Sequence, residues 1–106
     1  MAKVVLKVSY RVPVNHMAEF EGLLVTQIFP LAEDLGINLK GAWKTLVGNV
    51  GEFLELWEFD SMAEFEAKWK ELIGHPKLQK IFEITGPVVR DESFALLEPV
   101  GRPDLI

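Results

Sequence analysis

Hydrophobic and polar positions alternate along the first part of the chain, over residues 3–12. A repeat of two predicts a β-strand, because successive side chains of a strand point to opposite faces. One face carries Val4, Leu6, Val8, Tyr10 and Val12, and the other carries Lys3, Val5, Lys7, Ser9 and Arg11. Pro13 ends the strand, and Asn15 stands where it would cap the next helix.

The period changes to three and four over residues 16–35, which predicts one long amphipathic helix. Its apolar stripe comprises Met17, Phe20, Leu24, Ile28, Leu31 and Leu35. Pro30 lies inside this stretch and is expected to kink or break the helix, because its ring has no N–H and crowds the preceding turn. Gly36 supplies a natural C-terminal stop.

A β-hairpin is predicted next, with strands over residues 38–47 and 52–59 joined by a turn at residues 48–51. The expected faces are Leu39, Trp43 and Val47 on one side of the first strand, and Phe53, Glu55, Trp57 and Phe59 on one side of the second. The opposite side of the second strand is also largely apolar, so both of its faces are expected to be covered. The pattern does not distinguish the face that meets the helices.

A second helical region begins with a predicted capping box, in which Ser61 caps the helix and Glu64 stands three residues on. Gly-His-Pro at residues 74–76 interrupts this region, and a shorter helix is predicted over residues 77–84. Residues 88–97 then read as the last strand.

The pentapeptide Met-Ala-Glu-Phe-Glu opens both helical regions, at residues 17–21 and 62–66. The chain therefore reads as two halves of similar layout. The order β-α-β-β-α-β predicts one α+β domain of the ferredoxin-like type, with residues 101–106 adding no regular element.

Composition narrows the class of protein. The 106 residues are 49% hydrophobic, which is more apolar surface than a small single domain easily buries, so a homodimer or higher homo-oligomer is predicted. There is no cysteine, and the net charge of −5 with scattered basic residues argues against nucleic acid as a partner. No apolar run is long enough for a membrane span and no signal-peptide pattern is present, so a cytoplasmic protein is expected.

Three segments resemble the NIPSNAP domain family. They are Leu-Trp-Glu-Phe-Asp-Ser-Met-Ala-Glu at residues 56–64, the His-Pro break at residues 75–76, and the closing strand with Val-Val-Arg-Asp-Glu at residues 88–92 and Leu-Glu-Pro at residues 97–99. The resemblance covers about the second half of the chain, and the first half is similar in layout only.

The resemblance implies a dimeric α+β barrel, in which two sheets pack face to face and each subunit keeps a cavity between its sheet and its own helices. The superfamily includes cofactor-free monooxygenases, small isomerases, haem-degrading enzymes and ligand-binding modules. Fold alone therefore does not decide the reaction. Haem-degrading relatives use an Asn on the first strand, where this chain has none, so no cofactor is predicted.

Three residues are candidates for catalysis: His75, Glu55 and Arg90. His75 at the helix break could shuttle a proton, or simply cap a helix. Glu55 lies on an aromatic face where burial would raise its pKa, although an inter-subunit or cross-strand salt bridge, for example with Lys44 or Arg11, is the alternative. Arg90 could hold a substrate carboxylate, or pair with a neighbouring acid.

Aromatic residues are the candidates for ligand binding: Trp57, Trp69, Trp43 and Tyr10. The tryptophans could form a wall for a flat ligand, and ordinary core or interface packing is the alternative for all four. Two isolated histidines without cysteine give no cluster of metal ligands, so no metal site is predicted.

Three functions follow as hypotheses. The first is a homodimeric module that binds a small apolar or aromatic molecule, the second a cofactor-independent monooxygenase or isomerase, and the third a structural homo-oligomer without ligand. Binding is favoured narrowly, because polar groups on the candidate cavity faces are few.

Overall fold

Four antiparallel strands form a single sheet in the spatial order β2-β3-β1-β4 in a computed structural model that describes residues 3–100. The strands are β1 (Val4–Arg11), β2 (Asn38–Lys44), β3 (Glu52–Phe59) and β4 (Arg90–Leu97). The predicted ferredoxin-like α+β fold is confirmed. Residues 101–106, predicted to lack regular structure, lie outside the described residues.

The helical region between β1 and β2 is built in four pieces. A 3-10 turn (Val14–His16) leads into α1 (Met17–Leu23), a π-helical turn (Leu24–Ile28) and α2 (Phe29–Asp34). Asn15 lies within the 3-10 turn, and α1 begins after His16 without a side-chain cap, so the predicted Asn15 cap is wrong.

Pro30 explains the π-helical turn. Its nitrogen has no hydrogen, so it cannot complete an ordinary α-helical ladder. The backbone N–H of Phe29 instead donates to the carbonyl of Leu24, five residues earlier. The wider turn accommodates the proline, and Leu23, Ile28 and Phe29 keep right-handed helical dihedral angles.

The region between β3 and β4 contains α3 (Met62–Ile73) and α4 (Pro76–Thr85). The predicted cap of α3 is confirmed, since Ser61 Oγ accepts a hydrogen bond from the backbone N–H of Glu64 at 3.1 Å. The break between the helices is also confirmed. His75 is the N-cap of α4, and its Nδ1 accepts from the backbone N–H of Lys77 at 3.2 Å.

The helices cover one face of the sheet, which we call the covered face. On β3 this face carries Phe53, Glu55, Trp57 and Phe59, all of them buried. The opposite side, the open face, carries Leu54 and Leu56, which are only partly buried. The core therefore lies between the covered face and the apolar sides of the helices, with Phe20, Leu24, Leu31, Leu72 and Leu78 among its buried residues.

Two bulges interrupt the sheet. On β2, Leu39 pairs with Trp57 and Gly41 with Leu56, so Lys40 is an extra residue with no partner on β3. Since one extra residue moves the following side chains to the other face, Leu39 lies on the covered face and Trp43 on the open face. The prediction that these two residues share a face is wrong.

The second bulge is on β4. Ser93 pairs with Ser9 but Arg90 pairs with Arg11, so two β4 residues, 91 and 92, stand opposite Tyr10 alone. Asp91 adopts a φ of 53° in this bulge. Without the extra residue Arg90 would fall on the covered face. With it, Arg90 is level with Arg11 on the open face.

Candidate functional site

A cavity of about 310 Å³ lies between the covered face and the helices. Strands β1, β3 and β4 form its floor, and the π-helical turn, α3 and α4 contribute to its walls. Its aromatic lining comprises Tyr10, Phe20, Trp57, Trp69, Phe82 and Phe94. Its acidic lining comprises Glu55 and Glu92, and aliphatic side chains form most of the remainder.

Glu55 is the buried acid of this cavity, with 7% of its surface exposed. Its Oε2 accepts a hydrogen bond from the hydroxyl of Tyr10, and its Oε1 accepts from Trp57 Nε1 at 2.9 Å. Trp57 can reach it because residues two apart on a strand share a face. Both donors satisfy a group whose burial would otherwise be costly.

Tyr10 approaches Glu55 diagonally across the sheet, since its direct partner on β3 is Phe53. The tyrosine ring stacks on Phe53 with centroids 5.5 Å apart and meets the edge of Phe20 at 5.4 Å. These contacts hold the ring in place, so the hydroxyl is aimed at the carboxylate by packing rather than by the hydrogen bond alone.

Burial is the largest influence on the ionisation of the cavity groups. It raises the pKa of Glu55 above the ordinary value of 4.5, the hydrogen bonds from Tyr10 and Trp57 oppose this rise, and the nearby Glu92 adds to it. Burial and the adjacent carboxylate also raise the pKa of Tyr10, so its hydroxyl keeps its proton and acts as a donor. Glu55 can therefore accept a hydrogen bond from a donor group of a ligand, or exchange a proton with it.

The three catalytic candidates are not brought together. Glu55 lines the cavity, whereas His75 caps α4 and does not line it. The β4 bulge pairs Arg90 with Arg11, which places it on the open face. Its side chain is exposed and donates a hydrogen bond to the carbonyl of its neighbour Val89 at 3.1 Å. An Arg90 contact with a ligand in this cavity is thus not supported by the geometry.

The alternative interpretation of Glu55 as a salt-bridge partner within the chain is wrong. Lys44 pairs with Glu21 at 2.8 Å, and Arg11 pairs with Glu52 at 3.1 Å. Neither cation pairs with Glu55, whose carboxylate instead accepts from the neutral donors Tyr10 and Trp57.

The aromatic candidates divide between the two faces. Trp57, Trp69 and Tyr10 line the cavity. Trp43 lies on the open face with 52% of its surface exposed, and its ring lies over Gly41, where an added Cβ would collide with it. Trp43 therefore belongs to a different surface from the other two tryptophans.

Glu92, Phe82 and Phe94 line the cavity but were not predicted from the sequence. Glu92 and Phe94 alternate along β4, which is the signal that places them on one face. To decide which face these two residues occupy, the register of β4 against β1 must be known. The sequence does not reveal the bulge that sets this register. Phe82 lies on α4, and its 41% exposure makes it a rim residue rather than a core residue.

Neither a metal-ligand cluster nor a membrane-spanning helix is found in residues 3–100. No group of three or more His, Cys, Asp or Glu side chains is placed to hold a metal ion there. Over the same residues, no helix has the length and apolar character needed to cross a membrane.

Solved structures share this fold. A NIPSNAP family protein from Agrobacterium tumefaciens has a TM-score of 0.87 over 99% of this chain and 92% of its own, at 20% identity. A second from that bacterium, of unknown function, has a TM-score of 0.86 over 99% and 95%, at 14% identity. A Deinococcus radiodurans protein assigned provisionally as an antibiotic biosynthesis monooxygenase has a TM-score of 0.67 over 93% and 94%, at 17% identity.

At these identities the likeness to solved structures concerns the fold alone. No curated protein matches the chain. The sequence model of the NIPSNAP family, in contrast, matches residues 7–102, which is nearly the whole chain and includes every helix and strand described above except the first three residues of β1. The chain therefore belongs to the NIPSNAP family.

Proposed function

We propose that this protein binds a small, mainly apolar molecule in the cavity between its sheet and its helices. The observation that carries the proposal is a cavity of about 310 Å³ that is walled by aromatic and aliphatic side chains and contains one buried, hydrogen-bonded carboxyl group. Small-molecule sites commonly combine an apolar lining with a few well-placed polar groups.

The size of the cavity also favours a ligand over a purely structural role. Well-packed interiors contain few voids larger than a water molecule, because each unfilled space loses dispersion contacts. Here large side chains such as Trp57 and Trp69 border the space instead of filling it. In a purely structural homo-oligomer, this unfilled space would lower stability without serving any ligand.

A neutral apolar fluorophore, N-phenyl-1-naphthylamine, tests the proposal. Val89 lines the cavity, and the adjacent Val88 is similarly half-buried but does not line it. We expect saturable fluorescence enhancement with the wild type and with Val88→Phe, and loss of it with Val89→Phe, whose larger side chain would occupy the cavity. Circular dichroism checks that both variants fold. Equal enhancement by all three proteins, or none with the wild type, would refute the proposal.

Proton transfer at Glu55 is the second candidate function. Its carboxyl group has a raised pKa and lies in a largely apolar cavity, which is how general acids and bases are commonly tuned. This favours an isomerase over a monooxygenase, for which the likeness of fold to the Deinococcus protein is the only support. Of the three catalytic candidates only Glu55 lines the cavity, so it would have to act with Tyr10 rather than with His75 or Arg90.

Benzylacetone in D₂O provides a direct test of this second candidate. A base at Glu55 would exchange the α-hydrogens of the bound ketone for deuterium, which proton NMR detects. We expect exchange by the wild type above the buffer rate and none by Glu55→Gln. Exchange that is equal in both proteins would remove Glu55 from the reaction, and binding without exchange would leave only the first proposal.

For the assembly, we infer that a second copy of the chain covers the open face. Support comes from Trp43, which is 52% exposed there, from the partly buried Leu54 and Leu56 beside it, and from a chain that is 49% hydrophobic. Sedimentation analysis should give a dimer for the wild type and a monomer for Leu56→Arg, which puts a charge in the centre of that face. A monomeric wild type would contradict the inference.

A further inference from the structure

We propose that the cavity selects a small organic cation, such as a primary amine on an aromatic or aliphatic group, over neutral and anionic molecules of the same shape. The inference rests on the proposed binding function and names the class of ligand for the same site. It is carried by the charges, the hydrogen-bond donors and the aromatic rings that surround the cavity.

The charges of the cavity have one sign. Glu55 and Glu92 are its ionisable acids, and among residues 3–100 no Lys, Arg or His lines it. Charges interact more strongly away from water, and Glu55 is buried whereas Glu92 is exposed, so an anionic ligand would meet like charge with the least screening at Glu55. A cation would supply the counter-charge that the protein does not.

Three basic residues of the sheet strands are held elsewhere by the fold. The β4 bulge places Arg90 opposite Arg11 on the open face. Arg11 and Lys44 form ion pairs with Glu52 and Glu21. Strand register or ion pairing therefore accounts for the absence of these three basic side chains from the cavity lining.

The hydrogen bonds at Glu55 point to the same ligand chemistry. Tyr10 and Trp57 each donate to a different carboxylate oxygen. An ionised carboxylate can only accept, and each of its oxygens keeps acceptor capacity beyond one bond. A ligand that meets the ionised Glu55 must therefore donate, and an ammonium group donates with the charge that strengthens the bond and keeps the carboxylate ionised.

The walls of the cavity suit the rest of a cation. Trp57, Trp69 and Phe94 line it, and Trp69 meets Phe94 edge to face with centroids 6.0 Å apart. Aromatic faces attract cations by about 0.5–2 kcal/mol, and tryptophan is the best of them. Rings around a buried carboxylate thus favour a group that is both apolar and positively charged.

Calorimetric titration with three probes of matched shape tests the proposal: 2-phenylethylamine, 2-phenylethanol and phenylacetate, at pH 7.5. We expect the amine to bind at least about tenfold more tightly than the alcohol, and phenylacetate more weakly still. Glu55→Gln and Glu92→Gln should each reduce this preference, and the double variant should abolish it. Glu83→Gln, an exposed change on α4 outside the cavity, is the matched control and should keep the wild-type preference.

Each outcome decides the matter. Equal binding of amine and alcohol, or a preference that survives the double variant, would overturn cation selection. If N-phenyl-1-naphthylamine binds in a Val89-dependent way but the amine does not displace it, cation selection fails and the proposed binding function stands. If the fluorophore does not bind at all, the proposed function fails and cation selection fails with it.

Discussion

The hydrogen bond from Tyr10 to Glu55 can be removed almost alone by the substitution Tyr10→Phe. The ring is 5% exposed and is held by Phe53 and Phe20, with centroids 5.5 and 5.4 Å away. Phenylalanine keeps these contacts and leaves no large void. The variant therefore isolates the loss of one donor to a buried carboxylate, which then keeps only the bond from Trp57.

The expected cost follows from the burial and charge of the acceptor. A hydrogen bond to a charged group contributes about 1.5–3 kcal/mol to stability. For a domain of this size, 1 kcal/mol changes the melting temperature by roughly 4–8 °C, so a fall of about 10 °C is expected. The Tyr10 bond lowers the pKa of Glu55, so its removal raises that pKa further. The loss of stability should then be greater at pH 8 than at pH 5.

Urea unfolding followed by tryptophan fluorescence measures this loss, and a double-mutant cycle assigns it. Tyr10→Phe is compared in the wild-type background and in Glu55→Gln, where the acceptor carries no charge. We expect the cost to shrink by about 1 kcal/mol or more in the second background. An unchanged cost would show that Tyr10 stabilises the fold through packing alone and would refute the assignment of the hydrogen bond.

Two further predictions concern pH and helix capping. Folded Glu55 has a pKa above 4.5 and holds its proton to higher pH than the unfolded chain, so the free energy of unfolding should fall as pH rises from about 4.5 through the folded-state pKa. Urea titrations across that range should show this fall in the wild type and not in Glu55→Gln; parallel curves would contradict it. Ser61→Ala removes the 3.1 Å cap of α3 and should cost about 1 kcal/mol. The exposed Ser93→Ala is its control, and equal melting temperatures for the two variants would count against the cap.

Hydrophobic periodicity was sufficient to predict the order of strands and helices. Steps of two, then of three and four, carry that information locally, and Ser61 marks a helix start through a contact only three residues long. Glu55 and Trp57 were also identified as a pair on one face, since they are two residues apart on one strand. These features depend on neighbours in sequence and were predicted correctly, whereas the local cap predicted at Asn15 was wrong.

Features that depend on the register between strands were not predicted correctly. Lys40 and Asp91 look like ordinary strand residues, yet each marks a bulge that changes which face its neighbours occupy. Trp43 and Arg90 consequently lie away from the cavity for which they were candidates. The contact between Tyr10 and Glu55 joins residues 45 positions apart, and alternation alone does not align the two strands that carry them.

The π-helical turn has a consequence for how the molecule fluctuates. Helices usually open first at their ends, whereas this helical region has its irregular hydrogen bonding in the middle, at Leu24–Ile28. Leu24 and Ile28 are also part of the cavity wall. We therefore expect amide hydrogens of this turn to exchange with solvent faster than those of α1 and α3, and a bound ligand to slow them. Pro30 would thereby make the π-helical turn the part of the cavity lining that opens most readily.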